Sequence, residues 1–304
     1  MKTLEHLKKN MEQEGYKFRV FNIHHITEVK EEIENLNKND IVDKSVYQEY
    51  LMNFEYDLDH HYKDAESIIM IAMPHYPSKM KFVYEHKEMT VVLPPQYAYP
   101  VLEEKVFNLV NETLVESNYY IKPVNLPLKY LAAMSGLCKL GRNNLCYSDN
   151  AGSFIRLTGF VTNLETDKDQ WPGISILNTC KKCSLCLNHC PTGAIDKMKS
   201  LIHAQNCLTH FNENTSEIPQ WVEGKWHNAI VGCMKCQEVC PHNKKYLELI
   251  DYNIEFDEAE TEKVLQKVDY SSLDMKTQKK IHQLGLIEYY DVLPRNLTLL
   301  VENR

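Results

Sequence analysis

The chain has 304 residues, 43% of them hydrophobic, enough for one large or two smaller domains with substantial cores. Its formal charge of −8 weighs against a dominant nucleic-acid surface, although a local basic patch would be compatible with it. The charged opening MKTLEHLKKNMEQEGYKF has no apolar signal-peptide core, and no stretch approaches the ~18 apolar residues of a membrane span, so a cytoplasmic protein with no membrane partner is expected.

Leu4, Leu7 and Met11 recur at helical spacing and predict an amphipathic helix over residues 4–15. FRVFNI (18–23) alternates as a strand does, and TEVKEEIENLNK (27–38) returns to a charged helical pattern. The adjacent pairs His24–His25 and His60–His61 have no cysteine or carboxylate at ligand spacing, so they read as surface or packing residues. SIIMIAMP (67–74) is a continuous apolar run bounded by polar sequence and proline, the pattern of a buried central strand. KFVY and MTVVL, within 81–95, read as the arms of a hairpin. Val101, Val106, Leu109, Val110 and Leu114 share one face of a helix over 100–115, and YYIKPV (119–124) follows as a short strand. Strand, helix and strand in this order suggest an α/β or α+β domain over residues 1–165.

A short helix over 128–135 ends at Gly136, which fits a C-cap. The loop after it is rich in small and polar residues, among them Gly141, Arg142, Asn143, Asn144, Ser148, Gly152 and Ser153. Such a loop could offer backbone N–H donors to a flat ligand, and ordinary turns use the same residues. Residues 154–162 alternate as a strand. Cys138 and Cys146 each read as a buried small side chain, a reactive thiol or a cofactor contact.

The run CKKCSLCLNHCP then places Cys180, Cys183, Cys186 and Cys190 ahead of Pro191. This C-x2-C-x2-C-x3-C-P spacing is how bacterial-type ferredoxins hold [4Fe–4S] clusters, three thiolates curling around one cubane and the fourth serving its neighbour. CMKCQEVCP supplies Cys233, Cys236, Cys240 and Pro241, the same motif without its first cysteine, which Cys207 is placed to replace. Two clusters follow: one on Cys180, Cys183, Cys186 and Cys240, the other on Cys190, Cys207, Cys233 and Cys236. Zinc ribbons favour paired C-x2-C instead, and disulfide frameworks belong to small secreted chains. In a reducing compartment all ten cysteines are expected to be ligands or free thiols. QWVEGKW (220–226) is expected to cover one cluster with its tryptophans, and residues 251–304 carry charged helical patterns. The expected fold class is α+β: an α/β-like domain (1–165), a ferredoxin-like two-cluster module (166–250) and a helical C-terminal extension (251–304).

The order GLCKLGRNNLCYSDNAGSF, FVTNLE, CKKCSLCLNHCPTGAI, Cys207 and GCMKCQEVCPHNK, with AESIIMIAMPHY upstream, resembles epoxyqueuosine reductases over about residues 65–245. That family, like the related reductive dehalogenases, pairs a cobalamin-binding α/β domain with a two-cluster ferredoxin module. The resemblance implies cobalamin bound base-off, with Asn144, Cys146, Ser153 and Leu157 of the loop over 141–157 as contacts. It also implies a ferredoxin or flavodoxin donor whose electrons pass through the clusters to cobalt. The family's proton-donating aspartate falls at Lys122, and no carboxylate occurs from 118 to 135, which leaves Lys122, Tyr119 or Tyr120 as donor candidates. The sixty or so residues after Pro241 are too few for the family's tRNA-gripping helical-repeat tail, and with the acidic balance this weighs against tRNA as substrate. The expected function is a corrinoid-dependent reductase of a small or unidentified substrate. Non-catalytic corrinoid storage or reactivation, plain electron transfer, and true epoxyqueuosine reduction are its alternatives.

Overall fold

The computed structural model describes residues 2–97, 100–197, 201–247 and 250–303, which divide into two compact units of interleaved segments. The first unit takes residues up to Pro74, then Glu103–Cys183 and His203–Gln205. Its elements in order are α1 (Lys2–Gln13), β1 (Lys17–Asn22), α2 (His25–Lys38), α3 (Lys44–Val46), α4 (Leu58–His61), β2 (Ser67–Pro74), α5 (Pro100–Val115, from Glu103 onward), β5 (Lys122–Pro123), α6 (Leu128–Met134), β6 (Lys139–Leu140), β7 (Cys146–Tyr147) and β8 (Ile155–Thr162). Numbers missing from this series belong to the second unit.

The main sheet has the order β1-β2-β8-β5, and every pairing in it is antiparallel. That makes the unit α+β rather than a parallel α/β sheet. Successive strand residues point to opposite faces, yet Ile68 to Met73 are all buried, so both faces of β2 are covered. Each fully buried Ile or Met there contributes about 1.5–3 kcal/mol. The helices of this unit bury one stripe each: Leu7 and Met11 on α1, Ile26, Val29 and Ile33 on α2, Val106, Val110 and Leu114 on α5. The strand expected over 119–124 shrinks to Lys122–Pro123 at the sheet edge, where a proline that cannot donate to the ladder is tolerated. Helix α6 stops as expected. Gly136 has φ +68°, Leu137 N–H returns to Ala132 O, and a Cβ on Gly136 would stand 2.9 Å from Pro172 Cγ.

The second unit takes His75–Leu102, Ser184–Ile202 and Asn206–Arg304. It contains β3 (Ser78–Tyr84), β4 (Lys87–Leu93), α7 (Leu185–His189), α8 (Leu208–Glu213), α9 (Lys235–Glu238), β9 (Ile250–Phe256), α10 (Glu258–Leu265), α11 (Met275–Gln283) and α12 (Leu293–Glu302). Strands β3 and β4 form the expected hairpin, turning at Glu85 and His86, both with positive φ as a type I′ turn requires. Strand β9 joins β3 in parallel, with Phe82 stacked on Phe256 at 4.5 Å.

This arrangement differs from the three contiguous domains expected. The hairpin leaves the N-terminal domain, and residues 251–304 begin with a strand and are no separate helical extension. The reason is packing. Met80, Phe82, Val91 and Leu93 need an apolar cover, and Phe256, Val264, Ile281, Leu284, Leu293 and Leu297 supply it in one core. Asp257 and Glu260 start α10 with a capping box, and Asp274 caps α11 through Thr277 N–H. Among the described residues no helix is long and apolar enough to cross a membrane.

Candidate iron–sulfur centre

The first cysteine run begins in the first unit. Cys180 closes a 3-10 turn over Asn178–Lys181, and Cys183 follows. The hairpin β6–β7 organises this stretch: Leu140 bonds Ser175 O and Leu177 N–H, and Arg142 reaches on to the cysteines. The Arg142 guanidinium donates through Nη2 to Cys180 O at 2.7 Å and through Nε to Cys183 O at 3.2 Å. With their carbonyls tied back, the two residues are fixed in a turn, and a permanent cation stands beside a site built for thiolates. Cys186 and Cys190 lie in the second unit, on and just after α7, which packs against α9, the helix carrying Cys236. None of the eight cysteines of the two runs and Cys207 is in a disulfide, and all are half-buried.

Cys190, Cys207, Cys233 and Cys236, the four expected to share one cluster, all lie in the second unit. Cys207 is the N-cap residue of α8, and Cys233 sits on the loop before α9. Burial pushes the Cys207 thiol up, with the nearby Cys190 adding to the effect. Burial likewise pushes Cys233 up to about 11, and both Cys207 and Cys190 add to it. Three thiols from three separate segments therefore sit within electrostatic reach of one another. The raised Cys207 and Cys233 thiols hold their protons in the metal-free chain; a bound metal must displace them, which is how metal and proton binding become linked.

Hydrogen bonds hold this loop in place. Asn228 Nδ2 donates to Cys233 Sγ at 3.3 Å, while its Oδ1 accepts Met234 N–H at 2.7 Å. Fully buried Asn212 donates to Gly232 O, and fully buried Asn296 on α12 donates to both Asn212 O and Ile230 O, each at 2.8 Å. Arg295 donates to Phe211 O and Ser216 O, each at 2.7 Å. The C-terminal helix thus clamps the segments that carry Cys207 and Cys233. Gly232 has φ +68°, and a Cβ there would meet Tyr97 Oη at 2.7 Å. The buried Tyr97 hydroxyl donates to Glu213, whose carboxyl burial raises to about 7. None of these partners carries a sequence signal: buried Asn and Gly residues look like loop residues until the fold is known. Trp221 packs edge-on against Phe211 of α8 and lies 6.4 Å from Trp226, and its side chain stays 48% exposed.

The other candidates stand apart from these thiols. Cys138 and Cys146 are joined as a disulfide across the β6–β7 hairpin, Cα atoms 5.5 Å apart. This corrects the expectation that every cysteine is a ligand or free thiol: hairpin closure sets the two close enough to bond. Asn144 takes the left-handed conformation at φ +57° and is buried, as are Cys146 and Ser153; Leu157 is half-buried on β8. The loop's backbone N–H groups at Gly141, Asn144, Ser148, Gly152 and Phe154 bond to carbonyls within the loop itself, so they are not the free donors the sequence suggested. Lys122 is exposed on the edge strand. The Tyr120 hydroxyl donates to Asp64 at 3.1 Å; burial and then this bond push it up to about 12, which makes it a poor proton donor near neutrality.

Comparison with known proteins finds a match over both cysteine runs. Residues 179–243 match the family described as 4Fe-4S double cluster binding domain. The epoxyqueuosine reductase of Cellulophaga algicola is 27% identical over 191 residues, covering 60% of this chain and 59% of that protein. That of Lactococcus garvieae is 35% identical over 114 residues, covering 38% of this chain and 31% of that protein. The matches thus span about a third to under two thirds of these relatives' lengths. In structure, the epoxyqueuosine reductase of Streptococcus thermophilus superposes with a TM-score of 0.67 at 20% identity, over 100% of this chain and 82% of that one. An epoxyqueuosine reductase with an epoxyqueuosine-modified tRNA-Tyr stem loop gives 0.67 at 18%, over 99% and 82%. The chain is thus an iron–sulfur protein by its match to a 4Fe-4S double cluster binding domain, is similar in sequence to epoxyqueuosine reductases over up to 60% of its length, and shares the fold of their solved structures.

Proposed function

We propose that this chain is an oxidoreductase that reduces epoxyqueuosine with electrons passed singly through two [4Fe–4S] clusters. The observation that carries this reading is the likeness to the Cellulophaga algicola reductase over 191 residues. That stretch is far longer than the cysteine region, 179–243, which a two-cluster ferredoxin would also share. The sequence alone favoured a small or unidentified substrate; the curated relatives favour the modified nucleoside instead.

Reducing an epoxide takes two electrons and two protons, so one-electron clusters must act twice. Within the chain, Arg142 fixes the turn that presents Cys180 and Cys183, and the Asn228 amide bonded to Cys233 sulfur favours the more negative, reduced state of the second cluster. A corrinoid, implied by the family resemblance, would supply a strongly reducing low-valent cobalt when bound. Of the side chains expected to hold it, Asn144, Cys146 and Ser153 offer little open surface in the ligand-free chain, and Leu157 offers more. Of the three proton-donor candidates, Tyr120 is bound to Asp64, which leaves Lys122 and Tyr119.

The test is anaerobic turnover. Cluster-loaded protein, a low-potential electron donor and a tRNA stem loop bearing epoxyqueuosine are incubated with and without cobalamin, and the nucleosides are analysed by mass spectrometry. Conversion to the reduced nucleoside, lost in Cys233→Ala, is expected. A parallel electron paramagnetic resonance spectrum of Co(II) cobalamin should turn base-off. Reducible clusters with no turnover, with or without the corrinoid, would overturn the reductase reading and leave an electron carrier.

A further inference from the structure

The first unit brings together three metal-ligating side chains that the iron–sulfur reading does not use. His24 and His25 open α2, and Asp169 reaches them from the segment after β8, 144 residues along the chain. One donor atom from each lies within 4.8 Å of the others. We propose that His24, His25 and Asp169 form a binding site for a divalent transition-metal ion of the zinc or ferrous kind.

The site is held from several sides. His25 is 7% exposed, and its ring stacks on Trp171 at 4.3 Å with 9° between planes, so it cannot swing away. Its Nε2 stands 2.7 Å from Asp169 Oδ2, and its Nδ1 stands 3.2 Å from Glu28 Oε2. The other Asp169 oxygen accepts Asn22 N–H at 3.0 Å. The Asn22 side chain accepts His24 N–H at 3.1 Å, which fixes the backbone where the two imidazoles diverge, their centroids 4.7 Å apart.

A packing histidine needs one partner. His25 has a carboxylate on each ring nitrogen and a second imidazole beside it. In the metal-free chain Asp169 and His25 share a proton-mediated contact; an ion with bonds of about 2 Å would take that proton's place between them. Glu28 would keep the remaining N–H of His25, the carboxylate–imidazole–metal arrangement that sets tautomer and ring orientation. Two imidazoles and one carboxylate without a thiolate suit zinc or ferrous iron, whereas calcium and magnesium take all-oxygen shells. His24 and Asp169 are the exposed members, so the remaining coordination positions face water.

The experiment uses the cluster-loaded protein, stripped of loosely held metal under anaerobic conditions and titrated with Zn2+ by calorimetry. One zinc per chain beyond the clusters is expected, its affinity falling at least about tenfold in His24→Ala and in Asp169→Asn, and about tenfold in Glu28→Gln. Co2+ in place of zinc should quench Trp171 fluorescence, and Trp171→Phe should remove that quenching. His25→Ala risks misfolding, so exposed His24 carries the decision. No zinc beyond the clusters, or equal affinity in wild type, His24→Ala and Asp169→Asn, would overturn the proposal. Because the cluster cysteines are untouched in these variants, the result stands or falls apart from the reductase reading.

Discussion

His227 should make the second unit sensitive to mild acid. The residue is 8% exposed, and neither ring nitrogen has a hydrogen-bond partner among the described residues. Burial, with the Arg295 guanidinium adding to it, pushes its pKa down from 6.5 to about 4. A lowered histidine contributes stability that is complete above 6.5 and is lost as pH falls toward about 4, because only the unfolded chain takes up the proton in that window. At about 1.4 kcal/mol per pH unit the full effect is about 3 kcal/mol, with about 2 kcal/mol already gone at pH 5. That is a large share of the roughly 5–15 kcal/mol that holds a domain folded. The assay is urea unfolding of wild type and His227→Phe at pH 7 and pH 5, the variant keeping the ring and losing the titration. The stability gap should move by about 2 kcal/mol in favour of the variant at the lower pH. Glu213, raised to about 7, works in the opposite sense: its contribution is present in acid and is lost as pH rises through 7. It cancels in the comparison because both proteins carry it. Parallel pH dependence in the two proteins would refute the reasoning.

Three further outcomes follow from the loop around Cys233. Asn296→Ala leaves the buried carbonyls of Asn212 and Ile230 without their donor, at about 1–3 kcal/mol each; the urea midpoint should fall and iron should leave one cluster faster when a chelator is added. Asn228→Leu removes the N–H that bonds Cys233 sulfur, so voltammetry should show one cluster's potential lowered and the other unmoved; two unmoved potentials would contradict the placement. Gly232→Ala forces a side chain into a left-handed position costing about 1–2 kcal/mol and against Tyr97, and should lower iron content in a way that Gly15→Ala, which meets nothing within 4 Å, does not.

The sequence by itself determined the parts whose cause is local. The cysteine spacing of 180–190 and 233–240 is readable because a cubane demands thiolates within one turn of backbone. The buried strand over 67–74, the amphipathic helices and the stop at Gly136 are readable because strand alternation, helical period and positive φ are properties of a few consecutive residues. What only the tertiary structure decided are the meetings of residues far apart in the chain. Strand β9 pairs with a hairpin that begins at Ser78, α12 reaches back 84 residues to Asn212, Asp169 comes to His25, and Cys138 bonds Cys146. No spacing rule announces such pairs. They arise because apolar faces must be covered and buried polar groups must find partners, and both conditions are met only once the whole chain has packed.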